Sequence, residues 1–202
     1  MKLFFHYCTY GFSNCYILGP DTGNKAVIID PGTMDEPMLE FIENNNYIPG
    51  AVLVTHNHPN HIHGLRTLRR IYDPEIYAVN HMIQKSRANI IRDGDTLKIG
   101  SFSIAVISVP GHSSDSAVFR LNHFLFTGDA LSAGLVGSTA SAYGKTIQTT
   151  ALRSKILSLP GDYQIFPGHG PPSTMEVERQ YNAGLGFFDL QRSHRPGFKI
   201  GF

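Results

Sequence analysis

No unbroken apolar run in this chain exceeds four residues; Cys15 to Leu18, Ala26 to Ile29, Ala51 to Val54 and Ile104 to Ile107 each reach that length. Runs this short exclude a membrane-spanning helix and the core of a signal peptide. Charge of one sign is equally scarce. The 17 Lys and Arg against 16 Asp and Glu leave a net charge of +1, which gives no long-range pull toward nucleic acid or an anionic membrane. Arg66, Arg69 and Arg70 sit at helical spacing and read as a solvated helix face rather than a phosphate-binding patch. Cysteine is limited to Cys8 and Cys15, both in short apolar stretches and without C-x-x-C spacing. They are expected to be buried and reduced, as in a cytoplasmic protein.

What is present suffices for a core. Of 202 residues, 42% are apolar, and no repeat, linker or low-complexity tract interrupts them. We therefore expect one domain over residues 1–185 and a C-terminal tail over 186–202. Short apolar runs punctuated by turn residues predict strands over 2–8, 14–18 and 25–30. Asp30-Pro31-Gly32 stops the third. Thr33 and Glu36 form a capping-box signal for a helix carrying Met38, Leu39, Phe41 and Ile42. A strand over 51–54, a helix over 63–72 and a strand over 76–79 complete a β-α-β alternation. Strands over 96–99, 102–109, 117–121 and 124–126 then read as a meander, and 131–144, rich in Gly, Ser and Ala, as a loop over a site. Ile147, Ala151, Ile156 and Leu159 mark a helix closed by Pro160-Gly161. After a strand over 163–166, Ser173 and Glu176 form a second capping box, for a helix toward Asn182. Two β-rich halves with helices, an α/β (α+β) architecture, is the economical reading.

The densest chemical signal is Thr-His-Asn-His-Pro-Asn-His-Ile-His-Gly at residues 55–64, four imidazoles within eight positions directly after an apolar strand. Imidazole is the commonest borderline-soft metal ligand, and so tight a cluster points to a metal site at a strand's end. Three further segments have the same shape of strand, glycine turn and metal-competent side chain: Val109-Pro110-Gly111-His112, Phe126-Thr127-Gly128-Asp129 and Phe166-Pro167-Gly168-His169. Each puts its side chain at the lip of a sheet, and glycine beside it leaves room for an ion and a substrate. Any one of them alone would read as an ordinary turn with a polar residue.

Together, His56-x-His58-x-Asn60-His61, the preceding Asp30-Pro31-Gly32, Gly111-His112, Gly128-Asp129 and Gly168-His169-Gly-Pro resemble the metallo-β-lactamase superfamily, and within it the short glyoxalase-II-like hydrolases. The likeness runs over residues 13–182. It implies a four-layer αββα sandwich of the metallo-β-lactamase type with its metals at one edge between the sheets. It also implies that His56, His58 and His112 hold a first metal, and that Asp129 bridges to a second held by His61 and His169. Asp129 and Asn60 become the positions at the catalytic centre. Such a site, occupied by zinc, lowers the pKa of bound water from about 16 to around 7 and so provides hydroxide at neutral pH. A metal-dependent hydrolase of an ester or thioester-type acyl bond, acting on a small-molecule substrate, is the function the likeness implies.

Asn60 departs from the family pattern, which has Asp there. A neutral amide in place of a carboxylate predicts one strong zinc site and a weak second one, with iron and manganese losing more than zinc. His63 stands where the family carries a small residue and is read as an additional or substitute ligand or, since its neighbours already fill the geometry, as a helix-start residue lining the pocket. Asp30 is read as a hydrogen-bond partner that orients a ligand histidine. Ser138 stands where glutathione-thioester hydrolases carry a basic residue, so another thioester or ester is expected. A mononuclear iron oxygenase of the persulfide-oxidising kind, built on His56, His112 and Asp129, and a non-catalytic metal-binding member are the alternatives. The apolar stretches Leu185 to Leu190 and Phe198 to Phe202 offer a surface for a second copy of the chain.

Overall fold

The computed structural model describes residues 1–186; the tail, apart from its first residue, lies outside the described residues, as does the expected oligomer surface except Leu185, which is buried in the core. The chain opens with β1 (Lys2–Tyr7), β2 (Asn14–Gly19) and β3 (Lys25–Ile29), then α1 (Glu36–Asn44), β4 (Ile48–Leu53), α2 (Pro59–Ile62), α3 (Leu65–Ile71) and β5 (Glu75–Ala78). A small ribbon of β6 (Met82–Ile83) and β7 (Ser86–Arg87) precedes β8 (Asn89–Ile90). The second half contains β9 (Thr96–Ile99), β10 (Phe102–Ser108), β11 (Ala117–Leu121) and β12 (Phe124–Gly128), followed by a second ribbon, β13 (Leu131–Ser132) and β14 (Leu135–Val136). It closes with α4 (Ala142–Ala151), a π-helical stretch (Leu152–Ile156), β15 (Gln164–Pro167), β16 (Ser173–Thr174) and α5 (Met175–Tyr181).

Two six-stranded sheets result, ordered β1-β2-β3-β4-β5-β8 and β16-β15-β12-β11-β10-β9. Successive residues of a strand face opposite sides, and here both sides are apolar. In β2, Tyr16 and Leu18 enter the core between the sheets, whereas Cys15 and Ile17 enter the core under α1 and α3, beside Met38, Ile42, Leu65 and Leu68. In β11 and β12, Phe119 and Phe126 face the inter-sheet core. Val118 and Leu125 meet Leu152, Ile156 and Met175 under the second helical layer. Three cores separating four layers is the αββα sandwich. Cys8 and Cys15 are free and buried, and no helix among the described residues is long and apolar enough to cross a membrane.

Several local expectations are corrected. Thr33 is not the cap of α1. Asp35 occupies that position, and Thr33 Oγ1 instead donates to Asp35 Oδ2 (3.2 Å). The second capping box also shifts by one residue: Thr174 accepts from the Val177 amide, and Ser173 reaches Glu178 instead. The helix expected over 63–72 is α3, which starts two residues later behind Gly64, where a Cβ would sit 2.3–2.4 Å from the carbonyl carbon and oxygen of Thr33. The Gly64 amide there donates to Pro31 O (2.8 Å), so the loop after β3 is pressed onto the histidine segment. The loop expected over 131–144 contains the β13–β14 ribbon and the first turn of α4. Buried Glu178 fastens that ribbon by accepting from the Gly134 amide.

Candidate metal centre

The carboxyl ends of β4, β12 and β15, with the loop following β10, meet at one rim of the sandwich. Backbone bonds between the sheets fix this meeting: the Ala117 amide donates to Thr55 O (2.8 Å) and the Asn14 amide to Gly168 O (2.7 Å). Tyr16 adds its hydroxyl to Pro167 O (2.6 Å), buried between the layers.

Four side chains from three segments converge there. Donor atoms of His56, His58, His112 and Asp129 all lie within 4.8 Å of one another, and the same holds for His61, Asp129 and His169 and for Asp30, His56 and His61. Asp129 is the shared member of the first two groups. Its Oδ2 lies 3.8 Å from His56 Nε2, 3.4 Å from His61 Nε2 and 3.6 Å from His112 Nε2, while His169 Nδ1 is 2.8 Å from Oδ1. His58 Nδ1 and His112 Nε2 approach to 3.1 Å. Ligands bound at 2.0–2.1 Å in a tetrahedron are about 3.3 Å apart, so these separations suit one small cation. His56 Nε2 and His61 Nε2 are buried and have no hydrogen-bond partner among the described residues. Leaving such groups unsatisfied costs about 1–3 kcal/mol each, a penalty that a cation removes.

The outer nitrogens are held so that the inner ones face the cluster. His61 Nδ1 is 3.0 Å from Asp30 Oδ2, His112 Nδ1 is 2.7 Å from Ser138 O, and His56 Nδ1 is 3.0 Å from Thr55 Oγ1. Asp30 adopts a left-handed backbone (φ 51), tolerated by Asp better than by most residues. It also accepts from the Thr55 amide (2.8 Å) and hydroxyl (2.6 Å). Gly168 is demanded by the crowding, because a Cβ there would lie 2.4 Å from Asp129 Oδ1 and 2.6 Å from His61 Cε1.

Electrostatics follow from this packing. Burial, reinforced by His61, pushes His56 down to about 3, and burial with His112 lowers His58. Burial would lower His61 too, but Asp30 and Asp129 outweigh it and bring the imidazole up to about 9. Burial opposes ionisation of Asp129, yet the hydrogen bond from His169 and the nearby His61 imidazole hold the carboxyl well below its usual range. His169 is raised, chiefly by its bond to Asp129. Asp30 and Asp129 thus draw positive charge into a pocket where His56 and His58 resist taking up protons, an arrangement that favours a cation beside those two imidazoles.

The remaining candidates divide. Asn60 stands in the cluster, its Nδ2 3.0 Å from His169 Nε2. His63 belongs to none of the three groups and is exposed, stacked on Tyr10. Ser138 contributes through its carbonyl. Sequence reasoning missed Thr55, which anchors Asp30, and Asp115, which accepts from the Asn57 amide (3.1 Å) and Asn80 (2.6 Å) to brace the histidine loop. Their only signal was polarity beside the motif.

Comparison with known proteins places this geometry. The family model described as "Metallo-beta-lactamase superfamily" matches residues 8–82. An uncharacterized protein of Mycobacterium tuberculosis is 31% identical over 209 residues, covering 85% of this chain and 92% of the relative. A hydroxyacylglutathione hydrolase of Yersinia enterocolitica is 35% identical over 154 residues, covering 72% of this chain; the chain spans 61% of that relative's length. Among solved structures, the BLEG-1 B3 metallo-beta-lactamase superposes with a TM-score of 0.82 at 26% identity, covering 91% of this chain and 99% of that one.

Proposed function

The chain belongs to the metallo-beta-lactamase superfamily, and from that premise we propose that it is a metal-dependent hydrolase cleaving an ester or thioester-type acyl bond. One observation carries the reading: His56, His58, His112 and Asp129 converge, with the buried His56 Nε2 lacking any hydrogen-bond partner among the described residues. A zinc ion bound there supplies Lewis acidity and a water that is nucleophilic near neutral pH. The protein's own part is positional. Asp30 and the Ser138 carbonyl fix the faces of His61 and His112, and the negative charge of Asp129 lies at the centre of three imidazoles.

We assign the tighter cation position to His56, His58 and His112 with Asp129, and a weaker one to Asp129, His61 and His169, where Asn60 offers an amide. The two free, buried thiols favour a reducing compartment, the cytoplasm. Small thioesters or esters are the substrates expected. The test is to screen metal-loaded protein against thioesters, lactones, β-lactams and phosphodiesters. Turnover of an acyl substrate that His58→Ala abolishes supports the proposal, and no turnover in any class overturns it.

One observation favours a second reading. The Asn60 amide occupies His169 Nε2, leaving a single position for which His56, His112 and Asp129 could serve as the two-histidine, one-carboxylate set of a mononuclear iron oxygenase. Bound iron with thiol-dependent oxygen uptake would establish that alternative.

A further inference from the structure

Next to the metal centre, and sharing its histidine loop, lies a depression of about 680 Å³ lined by His63, Arg66, Gln84 and Lys85. No acid lines it, and neither Arg66 nor Lys85 has an ion pair or side-chain hydrogen bond among the described residues. The sequence placed Arg66, Arg69 and Arg70 together on a solvated face. The structure separates them, for Arg69 donates to Ser86 Oγ (2.9 Å) and pairs with Asp73 (2.9 Å), whereas Arg66 borders the depression.

The walls are fixed. The Arg69–Ser86 bond ties α3 to the β6–β7 ribbon, and fully buried Ile83 anchors the same ribbon in the outer core. Gln84 and Lys85 are the two-residue turn of this hairpin, both left-handed (φ 46 and 65), the conformation that matches the twist of a tight hairpin. On the side of the metal centre the Tyr10 ring stacks on His63, centroids 3.8 Å apart and planes 14° from parallel. Gly11, the next residue, has its carbonyl oxygen 3.2 Å from His169 Nε2. The depression is therefore joined to the histidine cluster through Tyr10 and Gly11 and through the segment that runs from His61 to Arg66.

Two unpaired cations beside a flat aromatic platform complement an anion borne on a planar or unsaturated group, and the guanidinium fork accepts carboxylate or phosphate in two-point contact. The geometry points to an anion subsite: the substrate carries a carboxylate or phosphate on the part leading away from the scissile bond, held by Arg66 and Lys85 against the His63–Tyr10 stack. That the ligand is the substrate rests on the hydrolase reading; the anion binding does not.

The test titrates the metal-loaded full chain with phenyl phosphate, benzoate and neutral benzamide, following the His63 ring resonances, for wild type, Arg66→Ala, Lys85→Ala and the double variant. Saturable shifts with both anions or either one, none with benzamide, and binding weakened about tenfold or more in the double variant support the subsite. Tighter phenyl phosphate identifies a phosphate as the natural group, and tighter benzoate a carboxylate. No saturable binding by wild type, or equal binding by the double variant, overturns it. A kinetic arm compares acetyl thioesters of 3-mercaptopropionate and of uncharged N-acetylcysteamine. The ratio of their kcat/KM values should fall about tenfold in the double variant, and an unchanged ratio contradicts the proposal. If both anions bind but neither thioester is hydrolysed, the hydrolase reading falls and the subsite stands.

Discussion

On the proposed reading, Asn60 limits how many cations the centre retains. Its amide lies against His169 Nε2 at the position where a carboxylate would add negative charge, and hard cations depend most on such oxygen. Metal analysis after dialysis should find about one tight equivalent in the wild type and more in Asn60→Asp; two tight equivalents in the wild type would count against this account. A second residue-scale prediction concerns Asp93, held below its ordinary value first by Lys155 and then by the Ser108 amide. A depressed folded pKa contributes stability above the unfolded value of about 3.9 and loses it as pH falls through the folded value. The pair is half exposed, so after solvent screening Asp93→Asn should cost only about 0.5 kcal/mol at pH 7. In urea melts the difference from wild type should close as pH drops below about 4. Most of the ligand set was legible at this scale, because His-x-His and the glycine-flanked His112, Asp129 and His169 declare themselves by residue type. His63 was less legible. Its side chain is turned to Tyr10, a contact that no spacing rule encodes.

Elements carry those residues to one place, and their crowding is testable. Gly168→Ala would push a methyl into Asp129 and His61. We expect metal content to fall severalfold while far-UV circular dichroism stays that of the wild type; unchanged metal content would show that the turn is roomier than described. Some elements were readable in detail. The apolar positions Ile147, Ala151 and Ile156 step by four and then by five, and the step of five coincides with the π-helical stretch, where the Leu157 amide donates to Leu152 O (2.8 Å). Others were not. β4 starts at Ile48 and passes through Pro49 and Gly50, both ordinarily strand breakers. It does so because it pairs with β3 across a register shift between Ala26 and Val27. The α2 turn before Gly64 went unread as well, and a distant loop lies on that glycine, which local pattern cannot reveal.

At the scale of the molecule, the site exists because two sheets are packed face to face and present their strand ends together. Phe119 is fully buried in the core between them. Phe119→Ala should cost about 3–5 kcal/mol and lower the melting temperature by roughly 10 °C. Because the rim is tied through Ala117 and Thr55, metal retention should weaken with it. A melting temperature within about 2 °C of wild type would mean that the inter-sheet core is not what carries the rim. The sandwich was foreseen from the family likeness, whereas the pairing order of the sheets follows from contacts distant in sequence. The most direct measurement is anomalous diffraction at the absorption edges of zinc, iron and manganese on crystals of protein purified without chelator. The account predicts a strong zinc peak bonded to His56, His58 and His112 and adjoining Asp129; a chain that takes up no metal at these residues, or holds one elsewhere, would contradict it.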